Sequence, residues 1–188
     1  MAWEAALLLW IQNTVRHEWL DSVIARFTQL GNAGILWIVI TLILLIIPKT
    51  RKIGWACFFS LVLSLIFCNG LLKHLVARPR PYTQIPGLQC LVPLATDWSF
   101  PSGHSSSAFC VGTVCLARLP KKAGIPLITL AALLALSRLY VGIHYPTDVI
   151  GGVLLGIVLA LLAMKLFDLI DARVEAWKKR RAEQKATL

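Results

Sequence analysis

The stretch IGWACFFSLVLSLIFCNGLL (53–72) runs for 20 residues without a charged side chain, and the basic segment KHLVARPRP (73–81) follows it directly. About 20 predominantly apolar residues are enough for an α-helix to cross the hydrocarbon core of a bilayer. Ionisable residues at the edge of such a run are costly and usually face a protected polar site. The stretch therefore predicts a transmembrane helix that ends at a functional cluster of cations.

Four more apolar runs extend this pattern along a chain that is 57% hydrophobic, with a mean hydropathy of +0.72. The run 105–119 is short and contains three serines, so we expect an interior helix shielded by its neighbours. The spacing of Gly152 and Gly156 permits close approach between helices. We predict an all-α, polytopic membrane helical bundle. The five predicted spans are 30–47, 53–72, 105–119, 125–143 and 149–170.

The first 29 residues differ, because tryptophans mix with charged residues and no apolar run is long enough to cross a bilayer. This mixture favours amphipathic helices that lie in the membrane interface. A sixth span packed inside the bundle is the alternative, so the prediction is five to six transmembrane helices. We divide the chain into an N-terminal interfacial segment (1–29), a membrane domain (30–170) and a basic cytoplasmic tail (171–188).

The basic residues predict the orientation of the bundle. With five spans, 13 of the 19 Lys and Arg residues fall on one side, in the segments 49–52, 118–122 and 165–185. The positive-inside rule makes that side cytoplasmic, so the polar clusters near residues 73, 101 and 144 face outward. Contact with anionic lipid explains the basic tail better than nucleic-acid binding, and we expect no nucleic-acid partner.

The outward clusters contain the groups that bind a phosphate. Lys73, Arg80 and Arg138 can neutralise phosphoryl oxygens as charge spreads in a transition state. The segment PSGH (101–104) has the pattern of a helix start, with its proline in the first turn. Unpaired backbone N–H groups at a helix start bind anions, and we expect the hydroxyl of residue 102 to assist them.

Two histidines beside these groups can supply the chemistry. Asp148 follows His144 by four residues, so its carboxylate can accept a hydrogen bond from one imidazole nitrogen and leave the other free to attack phosphorus. His104 can protonate the leaving oxygen. His17 and His74 have no such neighbours, and we interpret them as polar anchors at the membrane surface.

Three motifs occur in a specific order and spacing: Lys73-x6-Arg80-Pro81, Pro101-Ser102-Gly103-His104 and Ser137-Arg138-x5-His144-x3-Asp148. The chain thereby resembles the type 2 phosphatidic acid phosphatase (PAP2) superfamily, and all three motifs are complete over residues 73–148. The resemblance implies a helical bundle and metal-independent phosphatase chemistry without a cofactor. The five cysteines show no paired spacing, so we expect neither a disulfide framework nor a zinc site.

The resemblance also implies a role for each matched residue. His144 is the implied nucleophile that forms a phosphohistidine, Asp148 its orienting partner, and His104 the acid–base group for the leaving oxygen. Five residues are implied to bind the phosphate: Lys73, Arg80, Ser102, Gly103 and Arg138.

The motifs specify a reaction but leave the lipid open. The resemblance to the PAP2 superfamily implies a choice of substrates, because its small bacterial members act on undecaprenyl diphosphate, phosphatidylglycerophosphate or phosphatidic acid. We expect hydrolysis of undecaprenyl diphosphate at the outer face of the bacterial cytoplasmic (inner) membrane, with the two glycerophospholipids as alternatives. A lipid phosphotransferase would use the same residues, and the oligomeric state stays open.

Two other classes fit less well. The related vanadium haloperoxidases have a similar anion pocket, but they are implied to be soluble, and the predicted spans argue against that class. A non-catalytic scaffold or transporter would not need His104, His144 and Asp148 together.

Overall fold

The computed structural model describes the backbone of residues 2–186 and the side chains of residues 2–184. Within this range the chain forms nine α-helices and no strand, which confirms the predicted all-α fold class. The helices are α1 Ala2–Trp10, α2 Glu18–Gln29, α3 Ile35–Ile46, α4 Arg51–Ser64, α5 Lys73–Val76, α6 Pro81–Gln84, α7 Gly103–Arg118, α8 Lys121–Tyr140 and α9 Pro146–Ala186.

Short irregular helices connect several of these elements. The π-helical segment Ile11–Val15 extends α1, and Leu65–Leu72 joins α4 to α5. A 3₁₀ turn, Asn32–Gly34, lies between α2 and α3, and both Ala33 (φ 51°) and Gly34 (φ 70°) have left-handed backbone there. This turn bends the chain sharply at the level of the polar clusters.

Three helical stretches of the described chain are long and apolar enough to cross a membrane: Arg51–Gln84, Lys121–Tyr140 and Pro146–Gln184. The pair α2 and α3, bent by 45°, adds a fourth if it forms one broken span. The predicted number of five to six spans therefore stays a prediction. The division at residues 29 and 170 also stays a prediction, and Met1, Thr187 and Leu188 lie outside the described residues.

Helix α7 is the centre of the bundle and packs against α4, α8 and α9. Its buried side chains are small or β-branched, including Ala108, Val111 and Val114, which are fully enclosed. They form a core with Trp37 of α3 and Leu134 of α8. The expected interior helix over 105–119 is thus present, shielded from its surroundings on most of its surface.

The outer surface of the bundle is apolar. Residues such as Leu42 on α3, Leu136 on α8 and Leu154 on α9 each expose more than half of their surface. Apolar patches of this extent are rare on soluble monomers and suit contact with lipid. Together with the spanning helices they identify an integral membrane protein.

Two glycines of α9 allow it to touch α7 backbone to backbone. A Cβ at Gly152 would lie 2.5 Å from the carbonyl oxygen of Ser102, and one at Gly156 would lie 2.6 Å from that of Ser106. No side chain fits at either position without moving a helix. The close approach predicted from the Gly152 and Gly156 spacing is confirmed.

We expect Gly156→Ala to destabilise the protein by about 1–3 kcal/mol, because its methyl group overpacks the α7–α9 contact. The change would otherwise favour helix formation. Gly70→Ala is the matched control, since a Cβ there meets nothing closer than 3.6 Å. Thermal unfolding in detergent measures both variants. Equal stability of the two variants would contradict the backbone contact.

Candidate active site

The three polar clusters meet around one cavity of about 640 Å³. Its lining includes six of the eight residues predicted for the site: Lys73, Arg80, Gly103, His104, Arg138 and His144. Ser102 and Asp148 are fully buried and are not among the lining residues. The sequence-predicted residues are therefore gathered in one place, in two layers.

The three cations of the lining are each less than a tenth exposed. Arg80 donates from Nη1 to the carbonyl oxygen of Ile143 (3.0 Å). Arg138 donates from Nη1 to Oγ1 of Thr28 (2.6 Å), whereas its buried Nε has no hydrogen-bond partner among the described residues. A buried donor of this kind is available to an anion that enters the cavity.

His144 lies in the loop between α8 and α9, and its two ring nitrogens have different partners. Nε2 is 3.0 Å from Nη1 of Arg80, which can only donate. Nδ1 faces Oδ2 of Asp148 at 3.4 Å. The neighbours thus favour the tautomer with hydrogen on Nδ1 and a lone pair on Nε2.

Burial lowers the pKa of His144 to about 3, although Asp148 opposes this shift. Burial lowers this pKa because loss of water disfavours the charged imidazolium. The ring is therefore neutral at neutral pH, and Nε2 keeps the electron pair that a nucleophile requires.

His104 lies in the first turn of α7, opposite the bend between α2 and α3. Its Nε2 is 3.1 Å from Oδ1 of Asn32, an amide oxygen that can accept a hydrogen bond from the ring. A Cβ at Gly31 would lie 2.8 Å from the ring, which shows how closely the bend packs on it. The second histidine is thereby held at the wall of the cavity.

Ser102 begins α7 as its N-cap. Its Oγ accepts hydrogen bonds from the backbone N–H of Ser105 (3.3 Å) and from Oγ of Ser105 (3.0 Å). Pro101 precedes this cap, so the expectation that it occupies the first turn is wrong by two positions: the chain becomes helical only at Gly103. Direct binding of phosphate by the Ser102 hydroxyl stays a prediction.

Sequence reasoning missed Asp97. Its carboxylate pairs with Nζ of Lys73 and, at 2.6 Å, with Nη2 of Arg80. Burial alone would raise the pKa of Asp97, but the two cations outweigh it and hold the pKa at about 2. One signal was available, because Asp97 is the single acidic residue between Pro81 and His104.

Other neighbours of the site also came without a sequence signal. Thr28, Asn32 and Ser99 each contact a motif residue from a segment distant in sequence. Arg78 of the basic segment 73–81 donates to Oδ1 of Asp148 (2.6 Å). The partners in these pairs are far apart in the sequence and not three or four residues apart on one helix. A periodic sequence pattern therefore could not predict the contacts.

The cavity continues from the charged groups to an apolar wall. Ile38, Leu42 and Leu45 of α3 face Phe58, Leu61, Val62 and Leu65 from the α4 side in the lining. From Ile38 to Leu45 this wall extends about 10 Å along the helix. One cavity can therefore accept a polar head and the start of an apolar tail. Within the described residues, no group of three His, Cys, Asp or Glu side chains is placed to bind a metal.

Comparison with known proteins identifies one family. The model of the PAP2 superfamily matches residues 53–170. The chain is 37% identical over 130 residues to an undecaprenyl-diphosphatase of Sulfolobus acidocaldarius, covering 69% of this chain and 63% of that protein's length. It is 33% identical to phosphatidylglycerophosphatase B of Bacillus subtilis, covering 82% of this chain and 78% of that protein.

Solved structures agree with these relatives. LpxE of Aquifex aeolicus superposes with a TM-score of 0.75 at 30% identity, covering 85% of this chain and 93% of that chain. The PAP2-type phosphatidylglycerolphosphate phosphatase of Bacillus subtilis gives a TM-score of 0.73 at 29% identity, covering 90% of this chain and 86% of that chain. The two solved structures therefore share the fold of this chain, whereas the names of the relatives refer to different substrates.

A phosphate would compete with Asp97 for Lys73 and Arg80, so we expect Asp97→Asn to bind inorganic phosphate more tightly, by about fivefold. A half-exposed ion pair is worth about 1 kcal/mol or less, which sets this scale. Isothermal titration calorimetry with phosphate measures the change. Asp168→Asn is the control, because that carboxylate pairs with Arg118 far from the cavity. Weaker binding by Asp97→Asn would mean that Asp97 helps to bind the anion.

Proposed function

Because the chain belongs to the PAP2 superfamily, we propose that it is a membrane phosphatase that removes a phosphate from a lipid phosphate or diphosphate. The observation that carries this proposal is that one cavity has cations and histidines at one end and an apolar wall at the other. An amphiphile whose phosphate lies at head-group depth matches both ends.

We propose a two-step reaction. Lys73, Arg80 and Arg138 bind the phosphoryl oxygens, assisted by the Ser102 and Gly103 turn. Nε2 of His144 attacks phosphorus, and the bond to the leaving oxygen breaks. His104 enters this step as the imidazolium, gives the leaving oxygen a proton and becomes the neutral base. Water, deprotonated by His104, then attacks the phosphohistidine and releases inorganic phosphate and the neutral imidazole. Asp148 orients His144 in both steps.

We propose undecaprenyl diphosphate as the substrate, with phosphatidic acid or phosphatidylglycerophosphate as the alternative. Relatives with both kinds of name support each choice about equally by identity. A lone apolar wall of α3 and α4 suits one isoprenoid chain, which favours the diphosphate lipid. Transfer of the phosphoryl group to an alcohol would use the same histidines.

We also propose that the cavity faces the exterior or periplasmic side of the cytoplasmic membrane. The support is the excess of Lys and Arg on the opposite side, where 13 of 19 fall if there are five spans. Residues 1–29 then lie in the outer interface and the tail from 171 in the cytoplasm.

Rates of phosphate release by the detergent-purified protein test the substrate. We expect the highest kcat/KM on undecaprenyl diphosphate, full activity in EDTA, and inhibition by vanadate, which imitates the transition state. Higher kcat/KM on either glycerophospholipid would assign the alternative substrate. Loss of activity on chelation, restored by added metal, would overturn the mechanism. An added alcohol that lowers phosphate release while forming a phosphate ester would identify a phosphotransferase.

The two histidines should respond differently to removal. We expect His144→Ala to be inactive on every substrate, because no phosphohistidine forms. His104→Ala should lose about 10²–10⁴-fold on phosphatidic acid, whose alkoxide leaving group needs a proton, and less on p-nitrophenyl phosphate. Steady-state kinetics on both substrates measure the contrast, with exposed His74→Ala as the control. Near-normal turnover by folded His144→Ala would show that the nucleophile is another group.

A further inference from the structure

Arg78 is at an unspecified position of the first motif, between Lys73 and Arg80, and its guanidinium reaches the carboxylate behind His144. Nη1 donates to Oδ1 of Asp148 (2.6 Å) and to Oγ1 of Thr147 (2.7 Å). The guanidinium also stacks on the ring of Tyr145, 3.8 Å from its centroid. Arg78 is mostly buried and is held on three sides in the first turn of α9 and the loop before it.

The other end of the same guanidinium pairs with the first helix of the chain. Nη2 of Arg78 lies 2.8 Å from Oε2 of Glu4, a residue of α1 that is only 3% exposed. Oε1 of Glu4 accepts a hydrogen bond from Oγ1 of Thr147 (2.6 Å). A carboxylate this deeply buried is stable only when it is paired, so the fold keeps Glu4 in contact with Arg78 and Thr147.

The two oxygens of Asp148 therefore have separate partners. Oδ2 accepts from Oγ of Ser99 (2.5 Å) and from the backbone N–H of Tyr145 (2.9 Å), and it faces Nδ1 of His144. Oδ1 is bound by Arg78. A carboxylate with both oxygens engaged cannot rotate away from the imidazole, and the orientation of the imidazole depends on it.

The charges along this line alternate. Arg78 alone would withdraw charge from Asp148 and weaken it as an acceptor for His144, whereas Glu4 offsets the guanidinium from the far side. The pair thus binds the carboxylate in one orientation while leaving its charge available to the imidazole. Glu4 and Arg78 are 74 positions apart in the sequence.

We propose that Arg78 and Glu4 are positioning residues for the reaction: Arg78 holds the carboxylate of Asp148 against His144, and Glu4 of the first helix holds Arg78. The inference rests on the proposed phosphatase reaction through His144. It makes α1, predicted from sequence to be an interfacial segment, a part of the catalytic apparatus.

Kinetics of Arg78→Gln and Glu4→Gln on p-nitrophenyl phosphate test the proposal. We expect kcat to fall about 10- to 100-fold, the scale of a misplaced catalytic group, with KM and the vanadate inhibition constant unchanged. Neither side chain lines the cavity. Arg78→Lys should recover part of kcat, because lysine supplies the charge without the fork that binds both carboxylates.

A double-variant cycle distinguishes positioning from general stability. If Arg78 acts through Asp148, then Arg78→Gln should cost little further kcat in an Asp148→Asn background. Arg118→Gln, which breaks the ion pair with Asp168 at the other end of the bundle, is the control and should leave kcat unchanged. Thermal unfolding in detergent confirms that each variant is folded.

The outcomes separate the two proposals. Normal kcat in folded Arg78→Gln, or a full additive loss in the Asp148→Asn background, would overturn the positioning role while leaving the phosphatase intact. If Arg78→Gln does not fold, kcat of Glu4→Gln and of Arg78→Lys is compared in the same two backgrounds, with and without Asp148→Asn. Activity that survives His144→Ala would instead overturn the proposed function.

Discussion

The pairing of buried charge is the constraint on which the arrangement of this protein depends. Among the Asp, Glu, His, Lys and Arg side chains of the described chain, six are almost fully enclosed: Glu4, Lys73, Arg80, Arg138, His144 and Asp148. Removing a charge from water costs several kcal/mol, so each of them requires a hydrogen bond or an opposite charge. The loop around Asp97, the first helix through Glu4 and the end of α2 through Thr28 supply such partners.

Backbone contact between α7 and α9 brings two of the motifs into register. The absence of a side chain at Gly152 lets α9 approach the start of α7, and the backbone N–H of Ser102 donates to the carbonyl oxygen of Asp148 (3.0 Å). The cap of one helix is thus bonded to the first turn of the other. His104 and His144 face one cavity because these two helix starts are joined directly.

Sequence predicted the helices and most of the cavity because apolar runs and motif spacing are local signals. The interior position of α7 followed from the serines of 105–119, and the closeness of Asp148 to His144 followed from a four-residue spacing. Contacts such as Thr28 with Arg138, Asn32 with His104 and Asp97 with Lys73 join segments 24 to 110 residues apart. They depend on how the helices dock, which no local pattern encodes. The helix begins after Ser102 and not at Pro101, because the Ser102 hydroxyl can accept a hydrogen bond from a backbone N–H of the first turn. The proline side chain has no acceptor for that bond.

The length of α9 has a consequence for the basic end of the chain. Lys52 pairs with Asp171 (2.6 Å) and Arg118 with Asp168 (2.6 Å), so these ion pairs join α9 to the starts or ends of its neighbours α4 and α7. The helix continues from Asp171 to Ala186 over about 22 Å. Electrostatic attraction in physiological salt decays over about 8 Å. Lys178–Arg181 lie about 10–15 Å past Asp171 along the helix, so the tilt of α9 sets how strongly they attract anionic lipid.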